Sequence, residues 1–229
     1  MPTESEFRSK PWLRRLYLPA YLVRDAARYA GASPRTVAYW HYGGASLGPA
    51  LPGKKRGEAL SYLQLIEVAV AATFRRVGVS LQKIRKAHDY LGQRFQKEFP
   101  FAELIVKTEG QHVLMDLLQI EPDTELETLI VADAYGQLAW QGLISDRFAE
   151  FDYNDEGLAV RWHLVGRDSA IIIDPRISFG APTVNGIPTW ALGGRAKAGE
   201  SLAEIADDFE LEPDQVNQAL SFEGVETAA

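Results

Sequence analysis

The chain has 229 residues, of which 46% are hydrophobic and 24% are charged, a composition typical of a globular protein that buries a sizeable core. It contains no Cys, which excludes disulfides, thiol catalysis and Cys-based zinc sites, and its four His residues lack metal-ligand spacing. Neither a membrane-spanning apolar run nor a signal peptide is recognisable, so we expect a cytoplasmic protein with no membrane contact.

The net charge of −7 is distributed unevenly along the chain. Residues 1–98 contain 17 Lys and Arg against 7 Asp and Glu, whereas residues 99–229 contain 7 against 24. A basic segment attracts polyanions such as nucleic acid, and an acidic segment repels them. The chain is therefore expected to have a basic N-terminal part that binds nucleic acid and an acidic remainder with a different partner.

A helix-turn-helix pattern covers residues 18–40, LPAYLVRDAARYAGASPRTVAYW. Gly31 can adopt the left-handed conformation that ends a helix, Ser33 is a favourable N-cap, and Pro34 is tolerated at the first helical position. The Gly- and Pro-rich residues 43–57 cannot continue a helix and predict a loop or a small β-hairpin wing. Together these elements predict a winged helix-turn-helix.

A DNA-reading unit presents hydrogen-bond donors from the first turn of its second helix and cations to the flanking phosphates. Residues of both kinds cluster on the two helices and on the wing. We expect DNA contact here, in preference to the alternative that these cations are merely solvated. The predicted DNA-binding residues are Arg24, Ser33, Arg35, Thr36, Tyr39, Lys54, Lys55 and Arg56.

Two further amphipathic helices are predicted from apolar spacing, one from Glu58 to Gly78 and one that begins after Ser80. The second carries an apolar stripe that is either a dimer seam or packed inside the domain, and its short length favours packing inside. Its basic face is expected to be solvated and consists of Lys83, Arg85, Lys86, Arg94 and Lys97.

Residues 99–168 are predicted to form a β-rich connecting region, because short apolar runs alternate there with turn residues. The aromatic side chains of this region either line a ligand pocket or belong to the core. Since no polar cluster converges on them, the core interpretation is favoured.

Residues 169–229 begin with a β-branched strand and a loop, and three short helices follow. The first spans about 189–198, the second follows a capping box of Ser201 and Glu204, and the third starts around Pro213. This second helix-turn-helix-like unit carries seven acidic residues and no basic residue between positions 200 and 215. Phosphates would repel it, so we expect dimerisation or protein binding instead.

The N-terminal ninety residues resemble the MerR-type winged helix through SPRTVAYW, the glycine-containing wing and the helix pair that ends in GVSLQKIRKA. The resemblance implies that Arg35, Thr36, Tyr39 and the wing contact DNA. The wing is longer and richer in Pro and Gly than is usual in that family.

The C-terminal segment resembles a small trihelical domain of bacterial and archaeal antitoxins, through DPRISFGAP and GESLAEIADDF. Joined to a MerR-like N-terminus, it resembles the VapB antitoxin subgroup whose partner toxin is a PIN-type ribonuclease. This implies a non-enzymatic antitoxin without cofactor or metal. It also implies autoregulation at operator DNA and assembly as a homodimer or a larger toxin–antitoxin hetero-oligomer.

The predicted fold class is α+β, with a winged helix-turn-helix domain (1–98), a β-rich connecting region (99–168) and a trihelical domain (169–229). The predicted partner-binding residues are Asp174, Arg176, Phe179 and Trp190. Arg176 either engages carboxylates of the toxin or pairs with Asp174, and the second is favoured. Phe179 and Trp190 either anchor the interface or close the loop onto the helices, and again the second is favoured.

The alternative function is a MerR-like transcriptional regulator whose aromatic middle region binds a small effector and which has no toxin partner. An enzyme has little support, because the sequence contains no Walker or Rossmann glycine loop, no nucleophile elbow and no clustered acids with metal ligands.

Overall fold

A computed structural model describes residue 7 and residues 9–44, 48–51, 53–54, 57–103 and 145–225. The chain divides into two compact units. Unit 1 comprises Met1–Ala149 and Tyr153–Ala159, and unit 2 comprises Glu150–Asp152 and Val160–Ala229. The strands predicted within residues 104–144 lie outside the described residues. Among the helices that are described, none has both the length and the apolar composition needed to cross a membrane.

Unit 1 is mainly helical in its described part. Its elements are the 3-10 helix Pro11–Leu13, α1 (Arg14–Tyr17), α2 (Val23–Ala30), α3 (Pro34–Tyr42), α4 (Tyr62–Arg76), α5 (Leu81–Phe95) and the 3-10 helix Pro100–Ala102. An antiparallel bridge pairs Tyr21 with Leu60, so the chain before α2 lies beside the chain before α4. The two helices predicted within residues 18–40 are present as α2 and α3.

Helix α4 starts later and is more buried than the apolar pattern predicts. It begins at Tyr62 because Ser61 caps it: Ser61 Oγ accepts from the Gln64 backbone N at 3.2 Å, and Gln64 Oε1 accepts from the Ser61 backbone N at 2.9 Å. Helices α1, α2 and α5 and the 3-10 helix Pro100–Ala102 all pack against it. The predicted amphipathic helix is thus the central helix of unit 1.

Helix α5 packs its apolar stripe inside unit 1, as the favoured interpretation predicts, with Ile84, His88 and Leu91 buried. The prediction that its whole basic face is solvated is wrong for Lys83, which is only 8% exposed. A long aliphatic stem can lie along apolar surface, so a charged residue type does not by itself predict exposure.

A carboxylate and an imidazole lie side by side in the core between α4 and α5. Glu67 is completely buried, and its Oε2 lies 2.8 Å from His88 Nε2. Its Oε1 accepts a hydrogen bond from the Phe101 backbone N at 2.8 Å. Burial by itself lowers the pKa of His88, but the charge and hydrogen bonding of Glu67, together with the charge of Asp89, outweigh it and raise the pKa above its ordinary value of 6.5. Glu67 therefore links α4, α5 and the 3-10 helix that follows them.

A five-stranded antiparallel sheet begins before residue 169 and continues into the predicted C-terminal domain (169–229). Its strands follow chain order: β1 (Phe151–Tyr153), β2 (Ala159–His163), β3 (Ile171–Ile173), β4 (Pro182–Val184) and β5 (Ile187–Pro188). Trp162 lies opposite Ile173, and Ile171 opposite Val184. With the helices, this sheet confirms the predicted α+β class.

The turn between β4 and β5 is a two-residue hairpin that the sequence interpretation treated as loop. Asn185 and Gly186 both have positive φ, 48° and 85°. Such a turn matches the twist of the two strands, and Asn-Gly is its preferred sequence. The short run of apolar residues on each side obscured this signal.

Three helices complete unit 2: α6 (Thr189–Lys197), α7 (Leu202–Asp208) and α8 (Pro213–Phe222). Their predicted starts are confirmed, since Ser201 and Glu204 form the capping box of α7 and Pro213 is the first residue of α8. Helix α8 packs against α6, α7 and β4. Its buried residues include Val216 and Leu220.

Candidate functional site

The turn between α2 and α3 has the geometry that the sequence predicts. Gly31 ends α2 in the left-handed conformation, with φ 66°. Ser33 Oγ accepts a hydrogen bond from the Thr36 backbone N at 3.1 Å and lies 2.7 Å from Thr36 Oγ1. The two hydroxyl groups therefore hold the first turn of α3 in place.

Helix α3 presents Arg35 and Tyr39 to solvent one helical turn apart. Arg35 is exposed, and Tyr39 is 44% exposed. Residues spaced by four lie on the same face of a helix. A Cβ at Gly44 would lie only 3.1 Å from Tyr39 Cε2, so glycine lets the chain after α3 pass close to the tyrosine ring. On α2, the Arg24 side chain is 76% exposed and lies 3.6 Å from Asp25.

Lys54, one of the three residues predicted to lie on the wing, is buried, unlike the exposed Arg35 and Tyr39 of α3. Lys54 is only 8% exposed; its Nζ donates to Tyr42 Oη at 2.9 Å and lies 5.3 Å from the centre of the Tyr42 ring. It thus fastens the segment after α3 to the end of that helix. Lys55 and Arg56 lie outside the described residues.

Arg85 has a role that the sequence pattern did not reveal. Its Nε donates to the Pro49 carbonyl oxygen at 3.1 Å, and its Nη2 donates to the Gly48 carbonyl oxygen. The sequence does not distinguish a solvated arginine on a helix surface from one that donates hydrogen bonds to carbonyl oxygens far away along the chain. Arg85 connects α5 to the segment between α3 and α4.

In unit 2, Asp174 organises the DPR loop. It is 1% exposed and accepts hydrogen bonds from the Arg176 backbone N (2.9 Å), Arg176 Nε (2.8 Å), Arg176 Nη2 (2.6 Å) and Arg161 Nε (3.3 Å). Burial alone raises the pKa of Asp174, but the hydrogen bonds from Arg176 and the positive charges of Arg176 and Arg161 together outweigh it and lower the pKa below the ordinary value. The favoured interpretation of Arg176, a structural pair with Asp174, is confirmed.

Phe179 and Trp190 do not close the loop onto the helices, so that interpretation is wrong. Phe179 is 88% exposed and Trp190 is 63% exposed. The backbone accounts for the first: Ser178, Phe179 and Gly180 have successive φ values of 45°, 55° and 80°. Left-handed conformation is unfavourable for residues with a side chain and cannot be anticipated from their identity. The loop therefore displays the phenyl ring in solvent.

A second carboxylate at the start of the sheet was not predicted. Asp152 accepts from Arg167 Nη1 at 2.6 Å, lies 3.1 Å from His163 Nε2, and lies 3.5 Å from Arg161 Nη1. Burial alone raises the pKa of Asp152, but the hydrogen bonds and charges of Arg167 and His163 together outweigh it and lower the pKa below the ordinary value. Arg161 thus connects Asp152 with Asp174. The sequence shows polar residues alternating with apolar ones in β1 and β2, but it does not show which residues of the two strands lie opposite each other, so this cluster could not be predicted.

The three C-terminal helices, α6 to α8, carry an acidic surface. Arg195, at the end of α6, donates to Glu200 and Asp208, and its guanidinium lies 5.5 Å from the centre of the Phe209 ring. These bonds raise the pKa of Arg195. Five further acidic residues on or beside α7 and α8 are exposed: Glu204, Asp207, Glu210, Glu212 and Asp214. Within the described ranges, no group of Asp, Glu or His is arranged to hold a metal ion.

Comparisons with known proteins cover both units. Residues 171–222 match a family model described as "Protein of unknown function (DUF433)". The chain is similar to the "Putative antitoxin VapB45" of Mycobacterium tuberculosis, with 26% identity over 227 residues that cover 90% of this chain and 94% of that protein. The X-ray crystal structure of Rv2018 from Mycobacterium tuberculosis has a TM-score of 0.71 and 24% sequence identity, over 90% of this chain and 99% of that one. The structural likeness shows a shared fold, and the sequence similarity supports the antitoxin part of the resemblance.

Proposed function

We propose that this chain is the antitoxin of a type II toxin–antitoxin module and that it binds and neutralises a PIN-type ribonuclease toxin. The observation that carries the proposal is its similarity to the mycobacterial antitoxin over nearly the full length of both proteins. The charge division adds a physical reason, because an acidic surface competes with RNA for the cations of a ribonuclease. The four residues predicted for partner binding all lie in unit 2: Asp174 and Arg176 pair with each other and hold the loop, whereas Phe179 and Trp190 are exposed and available to a partner.

The toxin-binding part of this proposal is tested by co-expression. The full chain, with an affinity tag, is produced together with the protein encoded by the neighbouring gene, which this proposal expects to be a PIN-type ribonuclease. We expect the two proteins to elute as one complex in size-exclusion chromatography, with a mass that gives the stoichiometry. Separate elution of two folded proteins would refute toxin binding.

We also propose that unit 1 binds the operator of its own operon. Arg35 and Tyr39 are exposed on one face of α3, which suits contact with base edges in the major groove. Arg24 lies on the supporting helix and suits a phosphate contact. Ser33 and Thr36 fix the start of α3, and Lys54 holds the following segment to Tyr42. The operator contacts are thus concentrated on α2 and α3.

Arg35→Ala is expected to weaken operator binding by about 1 to 3 kcal/mol, the value typical of a side chain that reads a base edge. Arg94→Ala is the matched control, because Arg94 is also an exposed arginine of unit 1 but lies on α5. Fluorescence anisotropy with operator DNA and with scrambled DNA measures both. Equal losses on the two DNAs would make Arg35 a phosphate contact, and no loss would remove it from the interface.

A further inference from the structure

The geometry points to Phe179 as the anchor of the toxin complex. We propose that its ring enters an apolar pocket on the cationic, RNA-binding face of the toxin, and that acidic residues at the start of α8 face cations at the rim of that pocket. This inference rests on the proposed antitoxin function and adds to it a named contact residue and the chemistry of the surface it meets.

The first step is the exposure of Phe179 on a rigid loop. The phenyl ring of Phe179 is 88% exposed, so its apolar surface contacts water, and covering it with a partner is favourable. The loop is held by backbone hydrogen bonds from Ile177 N to Asp174 O (2.9 Å) and from Gly180 N to Ile177 O (2.8 Å). Ser178 Oγ adds a bond to the Gly186 carbonyl oxygen at 3.2 Å. Because the backbone that carries the ring is already ordered by these bonds, less entropy is lost when the ring binds a partner, as is favourable for an interface anchor.

The second step is the role of the DPR ion pair in this rigidity. Arg176 directs its backbone N, Nε and Nη2 to Asp174, two residues before it. Asp174 is buried and also binds Arg161 of β2. These bonds fasten the base of the loop to the sheet. Asp174 and Arg176 are therefore positioning residues, and Phe179 is the residue that touches the partner.

The third step identifies the charge on the helix start to which the loop is linked through the β4–β5 hairpin. Ser178 bonds to Gly186, and the neighbouring Asn185 Nδ2 lies 3.5 Å from Gln215 Oε1 in the first turn of α8. Gln215 accepts from the Glu212 backbone N at 3.1 Å. Glu212 and Asp214, on either side of Pro213, are exposed. The hairpin thus places the loop and an acidic helix start at the same end of unit 2.

The charge and the ring together define the surface that fits them. A surface that presents an exposed phenyl ring and, at the same end of the unit, carboxylates is complementary to an apolar pocket with Lys or Arg at its rim. A ribonuclease needs cations to hold the phosphates of RNA. Residues 171–222 match a family model by themselves, and this range contains Phe179, Glu212 and Asp214 but none of the proposed DNA contacts. The proposed toxin contacts therefore belong to unit 2, whereas the proposed DNA contacts belong to unit 1.

The test uses the full chain and the purified PIN-type toxin encoded beside its gene. Phe179→Ala is expected to weaken toxin binding in isothermal titration by about 30-fold or more, the loss that marks an interface anchor. Its melting temperature should stay unchanged, because the removed ring is in solvent. Val165→Ala is the matched control, since Val165 is 57% exposed in the same unit, and it should change the affinity by less than about 3-fold.

A charge variant tests the pocket rim separately. Asp214→Lys should weaken toxin binding and reduce its dependence on salt, because it removes an attraction and adds a repulsion. Wild-type affinity in both Phe179→Ala and Asp214→Lys would overturn the inference while leaving the antitoxin function intact. If Phe179→Ala weakened toxin binding and Asp214→Lys did not, the proposal of cations at the rim of the pocket would be overturned. A wild-type chain that does not bind the toxin would overturn the proposed function itself.

Discussion

Glu67→Ala should lower the free energy of unfolding of unit 1 by about 3 to 5 kcal/mol, the loss typical of removing one partner from a buried ion pair. The Glu67 carboxylate is completely buried and serves both His88 and the Phe101 backbone N. Without it, those two groups remain in the core without their partner. Amide hydrogen exchange of α4 in the full chain measures the local free energy of opening.

Two control variants separate charge from packing. Glu67→Gln keeps an acceptor for Phe101 and should lose less stability than Glu67→Ala. Glu58→Ala removes an exposed carboxylate just before α4 and should change stability by less than about 0.5 kcal/mol. Equal stability of Glu67→Ala and wild type would show that the pair contributes nothing to the core.

The same pair gives unit 1 a pH dependence with a definite sign. The pKa of His88 is higher in the folded chain than its ordinary value of 6.5, because Glu67 favours the charged imidazolium. The stability from this shift is fully present below pH 6.5 and is lost as the pH rises through the raised pKa. The difference between wild type and Glu67→Ala should therefore shrink at alkaline pH.

Asp174→Ala is expected to destabilise unit 2 by about 2 to 4 kcal/mol, somewhat less than for a fully buried pair because water screens the arginines. Arg161 and Arg176 keep 37% and 36% of their side-chain surface exposed, whereas Asp174 keeps 1%. Loss of the carboxylate also frees the base of the Phe179 loop. Thermal unfolding measures the first effect, and toxin binding by the folded fraction measures the second.

Asp168→Ala is the matched control for Asp174→Ala. Asp168 is an exposed carboxylate shortly before β3, whereas Asp174 directly follows that strand. The lowered pKa of Asp174 means that its contribution is present above its ordinary value of 3.8 and is lost as the pH falls through the lower folded value. If Asp174→Ala and Asp168→Ala melted alike between neutral and acidic pH, the ion pair would have no structural role.

Local signals in the sequence predicted the starts and ends of helices well. Gly31 and Ser33 act within a few residues of themselves, so their effect on the α2–α3 turn is readable without the tertiary structure. The capping box of Ser201 and Glu204 was predicted for the same reason. The α+β class and the order of the C-terminal elements followed from these signals and from apolar periodicity.

Features that depend on distant contacts were not predictable. Glu67 lies in an apolar run, and its partners become neighbours only when α5 and the Pro100–Ala102 turn pack against α4. The exposure of Phe179 depends on three successive left-handed residues, although aromatic side chains are usually buried. Lys54 looked like a wing cation, but Tyr42 was available to bind it. In each case the sequence showed the type of the residue, but its burial and its partners depended on residues that become neighbours only in the folded chain.

The most direct test of the antitoxin account is a titration of the purified full chain against RNA cleavage by the PIN-type toxin encoded beside it. We expect cleavage to fall to the background rate once the chain reaches the stoichiometry of the isolated complex, with Arg35→Ala as effective as wild type because Arg35 serves DNA binding. Undiminished cleavage at a large excess of folded wild-type chain would contradict the antitoxin function.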